Sequence, residues 1–187
     1  MYRYTVTDYE QLPHNDVSVV SWELINGVFQ MSPSPKIIHQ KLSSDFLIEF
    51  GMYIRIDEKK CGLFAEPTDV YLREDLVLKP DIFIVCDLEK LTENRCNGIP
   101  DLIVEILSPS TKYNDLPGGS KFKVYEKFLL KEYWVVDPLD TANIKLTQYR
   151  LMNNILTQIQ TYTRNDIIQS QIFPGLRIHL YNILVNY

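Results

Sequence analysis

Glu105 is the first residue in this chain that asks for a chemical explanation. It interrupts Leu102-Ile103-Val104-Glu105-Ile106-Leu107, an otherwise apolar run with the character of a strand buried on both faces. An ionised carboxylate there needs compensation from a cation, a metal or hydrogen bonds. Asp81 opens a second such run, Ile82-Phe83-Ile84-Val85, directly after Pro80. If the two strands pair, two carboxylates converge near one end of a sheet, and paired hard oxygen ligands suit Mg²⁺ or Mn²⁺. A cation is available as well. Lys121, Tyr125 and Phe128 fall on one helical stripe, with Val124 at its border, so Lys121 points toward the core, whereas Lys123, Lys127 and Lys131 occupy a solvated stripe. A lysine on an apolar stripe is ordinarily a snorkelling edge residue; beside two buried carboxylates it becomes a candidate for chemistry.

Other residues have plainer readings. His39 shares a helix stripe with Leu42, Phe46 and Phe50, where a satisfied, partly buried histidine is the ordinary role and a phosphate or active-site contact the alternative. Glu23 reads as a strand-edge acid near a turn, Asp69 as a strand-start acid, and Asp115, before Leu116-Pro117, as a turn or helix-cap residue. Tyr125, Tyr133 and Trp134 read as core or interface aromatics.

The elements that must hold these groups follow from periodicity. Asn26-Gly27 between the β-favouring runs of Trp22 to Met31 predicts a two-residue hairpin turn, with Glu23 on its first strand. After the stop signals Pro33 and Pro35, the spacing of Ile38, Leu42, Phe46 and Phe50, with Leu47 and Ile54 alongside, predicts an amphipathic helix over 36–55 that covers a sheet. Strands are expected over 62–65, 69–73, 81–86, 102–107, 132–136, 144–149, 155–162 and 177–180, a loop or short helix over 88–99, and a second helix within 116–130. Hairpin, helix, strands, helix, strands is the order of a mixed α/β or α+β domain. No repeat or linker divides residues 1–187, which read as one domain.

Bulk properties narrow the function. The 187 residues are 45% hydrophobic and 23% charged, enough for a sizeable core. Nineteen basic against twenty-four acidic residues leave a net charge of −5, which argues against a general polyanion binder but allows a locally basic cleft around Lys36, Lys41, Lys112, Lys121 and Lys123. No apolar run is long enough to span a bilayer, and the first residues lack the pattern of a signal peptide, so a cytoplasmic protein with no membrane partner is expected. Cys61, Cys86 and Cys96 form no CxxC, and His14, His39 and His179 lie far apart, so neither a disulfide framework nor a local zinc site is expected.

Several strings together match a known pattern. Glu23-Leu24-Ile25-Asn26-Gly27, Pro80-Asp81, Val104-Glu105-Ile106-Leu107-Ser108-Pro109-Ser110-Thr111, Asp115 and Lys121 with Tyr125, and Glu132-Tyr133-Trp134-Val135-Val136-Asp137-Pro138 resemble the Uma family of restriction-endonuclease-like proteins, within the PD-(D/E)XK nuclease superfamily. The resemblance runs from Trp22 to the Phe173-Pro174-Gly175-Leu176 segment. It implies a restriction-endonuclease-like central mixed sheet flanked by helices, with additional strands, and hydrolysis of nucleic-acid phosphodiesters. By matching position it makes Asp81 and Glu105 the metal ligands, Glu23 an accessory acid able to bind metal through water, and Lys121 the catalytic lysine. One departure stands out. The superfamily's usual lysine lies two residues after the second acid, where this chain has Leu107; the Uma-like pattern moves it to the following helix, where the apolar stripe independently puts Lys121.

The expected activity is therefore a Mg²⁺-dependent nuclease or phosphodiesterase, with Mn²⁺ able to substitute, acting on DNA or another nucleic acid. Because the acidic surface leaves a monomer poorly equipped to hold a duplex, a homodimer is expected. The rival reading is a non-catalytic binding or assembly module that retains the fold.

Overall fold

The computed structural model describes residues 3–12, 21–32, 34–56 and 60–184; Pro33 and His14, used above, lie outside them. A short helix α1 (Val6–Glu10) precedes the hairpin β1 (Ser21–Ile25) and β2 (Val28–Ser32), and α2 (Ile37–Ile56) follows. Then come β3 (Gly62–Ala65), β4 (Asp69–Arg73), β5 (Leu76–Leu78), β6 (Ile82–Val85), a 3₁₀ turn at Leu88–Lys90, β7 (Arg95–Asn97) and β8 (Leu102–Ile106). Two helices, α3 (Lys112–Asp115) and α4 (Ser120–Lys127), lead to β9 (Glu132–Asp137), and the chain ends with β10 (Lys145–Met152), β11 (Ile155–Tyr162), β12 (Ile167–Gln169), β13 (Arg177–His179) and α5 (Leu180–Ile183).

The Asn26-Gly27 turn forms as expected: both residues have positive φ, 52° and 78°, the condition for a two-residue turn whose twist matches its strands. Gly27 is doubly required there, because a Cβ at that position would lie 2.8 Å from Arg3 Cβ. The strands form a mixed α+β architecture. One sheet runs β2-β1-β5-β4-β7 and a larger one β11-β10-β9-β8-β6-β3, with β12-β13 as a separate pair. Within the larger sheet β8 pairs antiparallel with β6 and parallel with β9, so the α3–α4 segment is the crossover between parallel neighbours.

The two apolar strands are buried on both sides because each face meets a different partner. On one face Ile82, Ile84, Leu102, Val104 and Ile106 pack in a core with Leu42, Phe46 and Phe50 of α2 and with Trp134, and α2 takes the stripe its spacing required. On the other, Phe83, Val85, Ile103 and Leu107 pack with Phe122, Val124 and Tyr125 of α4 and with Val70, Leu76 and Leu78 of the first sheet. That second face is the one that carries Asp81 and Glu105.

Some elements depart from the sequence expectation. The stretch 88–99 holds both a 3₁₀ turn and a strand, β7, which pairs parallel with β4. The three-residue strand β5 and the short helices α1, α3 and α5 carry too few residues for a period to show. The cysteine expectation needs correction. Cys61 and Cys86, one position beyond the paired Gly62 and Val85, face each other across β3 and β6 and are joined as a disulfide, while Cys96 is free and buried. Their separation of 25 residues gives no local signal; only strand pairing brings them together. Among the described residues no helix is long and apolar enough to cross a membrane.

A second buried acid closes the far part of the fold. Glu132, fully buried at the start of β9, accepts hydrogen bonds from Trp134 Nε1 (2.6 Å), Gln148 Nε2 (2.6 Å), Ser170 Oγ (2.8 Å), Gln171 N (2.9 Å) and Ile172 N (3.1 Å). It thus ties β9, β10 and the 170–172 turn together with neutral donors alone. Glu132→Gln turns half of this acceptor into a donor facing donors, and is expected to lower unfolding free energy by about 3 kcal/mol in urea titration. An unchanged midpoint would show that the turn is held by its other contacts.

Candidate active site

Strand register brings the two carboxylates together. The β6–β8 pairing sets Ile82 opposite Val104 and Phe83 opposite Ile103; continued by one residue, it sets Asp81 opposite Glu105 on the same face. The two acids are then held by different means. Asp81 Oδ2 accepts from Ile106 N at 2.6 Å and lies 3.1 Å from His39 Nε2. Glu105 Oε1 accepts from Tyr125 Oη at 2.5 Å and lies 2.7 Å from Lys121 Nζ.

Lys121 enters from above. Helix α4 lies over this face and buries Lys121 beside Phe122, Val124 and Tyr125, so the amine has only acids to meet: Glu105, Glu23 at 3.1 Å and Asp115 at 3.7 Å. Lys123, on the other stripe, is exposed. Glu23 is steered inward by the hairpin and fixed by Lys79 N, which donates to its Oε1 at 2.8 Å. Asp115 ends α3, which is moored by Tyr133 Oη donating to the Asp115 carbonyl (3.0 Å) and by Asn114 Nδ2 donating to Gln30 Oε1 on β2 (3.0 Å).

All four candidates, Glu23, Asp81, Glu105 and Lys121, line one cavity of about 740 Å³, along with His39, Glu66 and Asp115. Three of these seven were not assigned to the site from sequence alone. His39 reaches Asp81 from the start of α2, where its stripe position allowed both readings. Asp115 looks like a capping residue in sequence, but it is buried, and its Oδ1, 3.7 Å from Lys121 Nζ, has no hydrogen-bond partner among the described residues. Glu66 gives no signal in sequence beyond its place after β3. Asp69 stays outside the cavity lining, accepting from Tyr9 Oη at 2.9 Å.

The electrostatics show an excess of acid. Burial pulls the Lys121 ammonium toward neutrality, but Glu105, Glu23, Asp115 and Asp81 outweigh it and hold its pKa well above the ordinary lysine value. Glu105 is pushed well above the carboxylate range by burial, against the pull of Lys121 and with further push from Asp81, Asp115 and Glu23. Both directions have one cause, because a single ammonium faces four neighbouring carboxylates. Asp115 is raised to about 7 by burial, again against Lys121. His39 is raised too: burial disfavours its charge, but the hydrogen bond to Asp81 and the charges of Asp81 and Glu66 prevail.

The chain matches the family model described as "Putative restriction endonuclease", Uma2, over residues 6–181. The protein belongs to the Uma2 family. Among solved structures it resembles the crystal structure of a putative nuclease belonging to DUF820 from Anabaena variabilis ATCC 29413, at 17% identity and a TM-score of 0.73, with 97% of each chain covered. No curated protein matches it significantly. The mixed sheets flanked by helices expected from the sequence are thus the fold of a Uma2 protein and of this nuclease-like neighbour.

The donor set of this Uma2 protein fits a hard cation. Asp81 Oδ1 and Glu105 Oε2 accept no hydrogen bond among the described residues, and the cluster's surplus negative charge is what a divalent ion would neutralise. Among the described residues no three His, Cys, Asp or Glu side chains are grouped as a metal cage. The protein would supply two carboxylates, leaving the rest to water and phosphate, which is the usual way Mg²⁺ is held.

Two outcomes follow. Lys121→Met removes the only ammonium among these acids and is expected to cost about 3 to 5 kcal/mol in denaturant unfolding, with partial recovery on adding Glu23→Gln. The pH dependence has a definite sign. An Asp115 that titrates near 7 folded and near 3.8 unfolded binds more protons in the native state between those values, so cation-free stability falls as pH rises from about 5 to 7. His39, raised above 6.5, adds in the same direction. Thermal melting across this range should show the slope, and Asp115→Asn should flatten it.

Proposed function

We propose that the protein is a metal-dependent nuclease that hydrolyses nucleic-acid phosphodiester bonds in the cavity lined by Asp81, Glu105, Lys121 and Glu23. The observation that carries this reading is Lys121 Nζ, 2.7 Å from Glu105, in the same cavity as Asp81, the acid opposite Glu105 in strand register. Two acids and an amine on a cavity wall are the parts that phosphodiester hydrolysis needs: ligands for a cation, and a positive group for the charge that develops on the phosphoryl oxygens.

Asp81 and Glu105 would hold Mg²⁺ or Mn²⁺, which when bound supplies Lewis acidity toward the phosphoryl oxygen. The rest is done by the chain itself. Ile106 N and His39 orient Asp81, and Tyr125 orients Glu105, which leaves one oxygen of each for a cation. Lys121 stays protonated and can donate to an attacking water or to a developing oxyanion. Glu23 holds the Lys121 ammonium in place and can accept from a water in the cation's outer shell.

The proposal extends to a cytoplasmic homodimer in which Ile37, Ile48, Met52 and Ile56, exposed on one side of α2, are covered by a second copy. Sedimentation giving a fully active monomer at micromolar concentration would overturn that part.

The test is a Mg²⁺- and Mn²⁺-dependent cleavage assay on single-stranded, duplex and structured nucleic acids. Asp81→Asn keeps the acceptor for Ile106 N but loses the charge that holds the cation, so it should fold normally by circular dichroism and lose at least about a hundredfold in cleavage rate. A variant as fast as wild type, or a wild type inactive on every substrate and metal, would overturn the nuclease reading; the second result would leave a binding module with the same fold.

A further inference from the structure

We infer that Asp115 is a positioning residue for Lys121, the acid that takes over the ammonium when a divalent cation occupies Glu105. The inference deepens the proposed function and rests on its cation site, but it turns on where one side chain sits rather than on cleavage.

The first observation is that the ammonium has unequal partners. Lys121 Nζ lies 2.7 Å from Glu105 Oε1 and 3.1 Å from Glu23 Oε1, both within hydrogen-bond reach, but 3.7 Å from Asp115 Oδ1, which is not. An ammonium has three N–H groups, so these two contacts leave it one to give. Asp115 is 4% exposed, and its Oδ1 accepts no hydrogen bond among the described residues. A buried carboxylate oxygen without a partner is costly. A donor with an N–H to spare stands about 1 Å too far away to supply one.

The second observation is that Glu105 has more claims on it than the other two acids. Its Oε1 already holds Lys121 and the Tyr125 hydroxyl, and the proposed function makes the same carboxylate a cation ligand. Lys121 and a divalent ion on one carboxylate repel each other, and the negative charge that drew the amine is then shared with the ion. Glu23 is placed to keep its hold, because Lys79 N fixes its Oε1 at 2.8 Å. Lys121 can therefore pivot about Glu23, giving up Glu105 and gaining Asp115, without leaving the acids.

The third observation is that the surrounding backbone leaves this movement to the side chain. Asp115 is not free to come to the lysine, since α3 is moored by the Tyr133 hydroxyl on the Asp115 carbonyl and by Asn114 on Gln30. Nor can α4 close on α3. The two already touch through their backbones where α4 begins, and a Cβ at Gly119 would lie 2.1 Å from the Tyr113 carbonyl oxygen and 2.4 Å from that of Asn114. Phe122, Val124 and Tyr125 fix the rest of α4 in the core. What remains is the four-carbon stem of Lys121. Without a cation Lys121 stands in for one at Glu105; with a cation, Glu23 and Asp115 hold the amine clear of the ligand and leave its third N–H for the substrate.

Crystal structures of the wild type grown with and without Mg²⁺ test the inference directly. With the ion bound, Lys121 Nζ should lie about 2.8 Å from Asp115 Oδ1 and beyond about 3.5 Å from Glu105 Oε1. An amine still on Glu105 in the loaded site, or no ion on Asp81 and Glu105, would overturn the inference. Mn²⁺ binding, followed by the paramagnetic resonance of the free ion, reads it in solution without turnover. Asp115→Ala should weaken Mn²⁺ binding about five- to tenfold while the amine is present, because Lys121 then competes for Glu105 with no other seat. In protein carrying Lys121→Met with Glu23→Gln, where the competitor is gone, the same change should cost less than about twofold. Each variant is checked as folded by circular dichroism, and equal losses in the two backgrounds would show Asp115 acting through its own charge and overturn the inference. Cleavage is read in parallel. A protein that cuts nucleic acid with Lys121 unmoved keeps the nuclease reading and loses this inference, whereas one whose lysine moves but which cuts nothing keeps this inference and loses the nuclease reading.

Discussion

One ammonium group makes the interior of this protein chemically possible. Lys121 lies within 3.7 Å of carboxylates from β1, β8 and the end of α3, three elements far apart in the chain that meet at this one point. Removing any of these charges from water is costly, and the cost is offset only while the partners stay in place. Lys121 therefore couples the hairpin, the central strand and the crossover helices, alongside the Asn114–Gln30 and Tyr133–Asp115 hydrogen bonds. The same cluster explains the titration behaviour, because burial pushes Glu105 and Asp115 toward their protonated forms and the ammonium they share only partly opposes it.

Glu132 shows what a buried acid looks like when it serves structure alone. Its two oxygens take five neutral donors from β9, β10 and the 170–172 turn, and it does not line the cavity of Asp81 and Glu105. Asp81 and Glu105 are buried too, yet each lines the cavity and uses one oxygen for an anchor, the other accepting no hydrogen bond among the described residues. Burial therefore does not distinguish the two kinds of acid. The spare lone pairs do, and they mark the β6–β8 end of the sheet as the place for a ligand.

What could be read from the sequence was whatever broke a local pattern. Glu105 in an apolar strand, Asp81 at the head of another and Lys121 on an apolar stripe each violate the period of their own element, so each was visible without knowing the fold. Asn26-Gly27 was legible for the same reason, since the turn it makes is local. Asp115 obeys the local rule for a capping residue and joins the acids only because α3 is pinned to β2 and β9. Glu66 and the Cys61–Cys86 pair are likewise products of strand pairing, and β5 is too short to declare a period. Local exceptions are written in the sequence; convergence is written in the topology.

The position of the amine shows how topology can replace spacing. Two residues after Glu105 on β8, where the resembling superfamily ordinarily carries its lysine, Leu107 has the same face as the acid but is committed to the core with Phe122 and Tyr125. The chain reaches the same point by another route. Because β8 and β9 are parallel, the segment between them must cross over the sheet, and here it lays α4 across the face that bears Glu105. An amine on the underside of that helix arrives beside the acid from above rather than along the strand. Its placement then depends on how Phe122, Val124 and Tyr125 pack against Tyr133 and Val135, not on the conformation of one strand. Tyr125 couples the two requirements, since one turn of helix places its ring in the core and its hydroxyl on Glu105, so the packing that docks the helix also aims the acid.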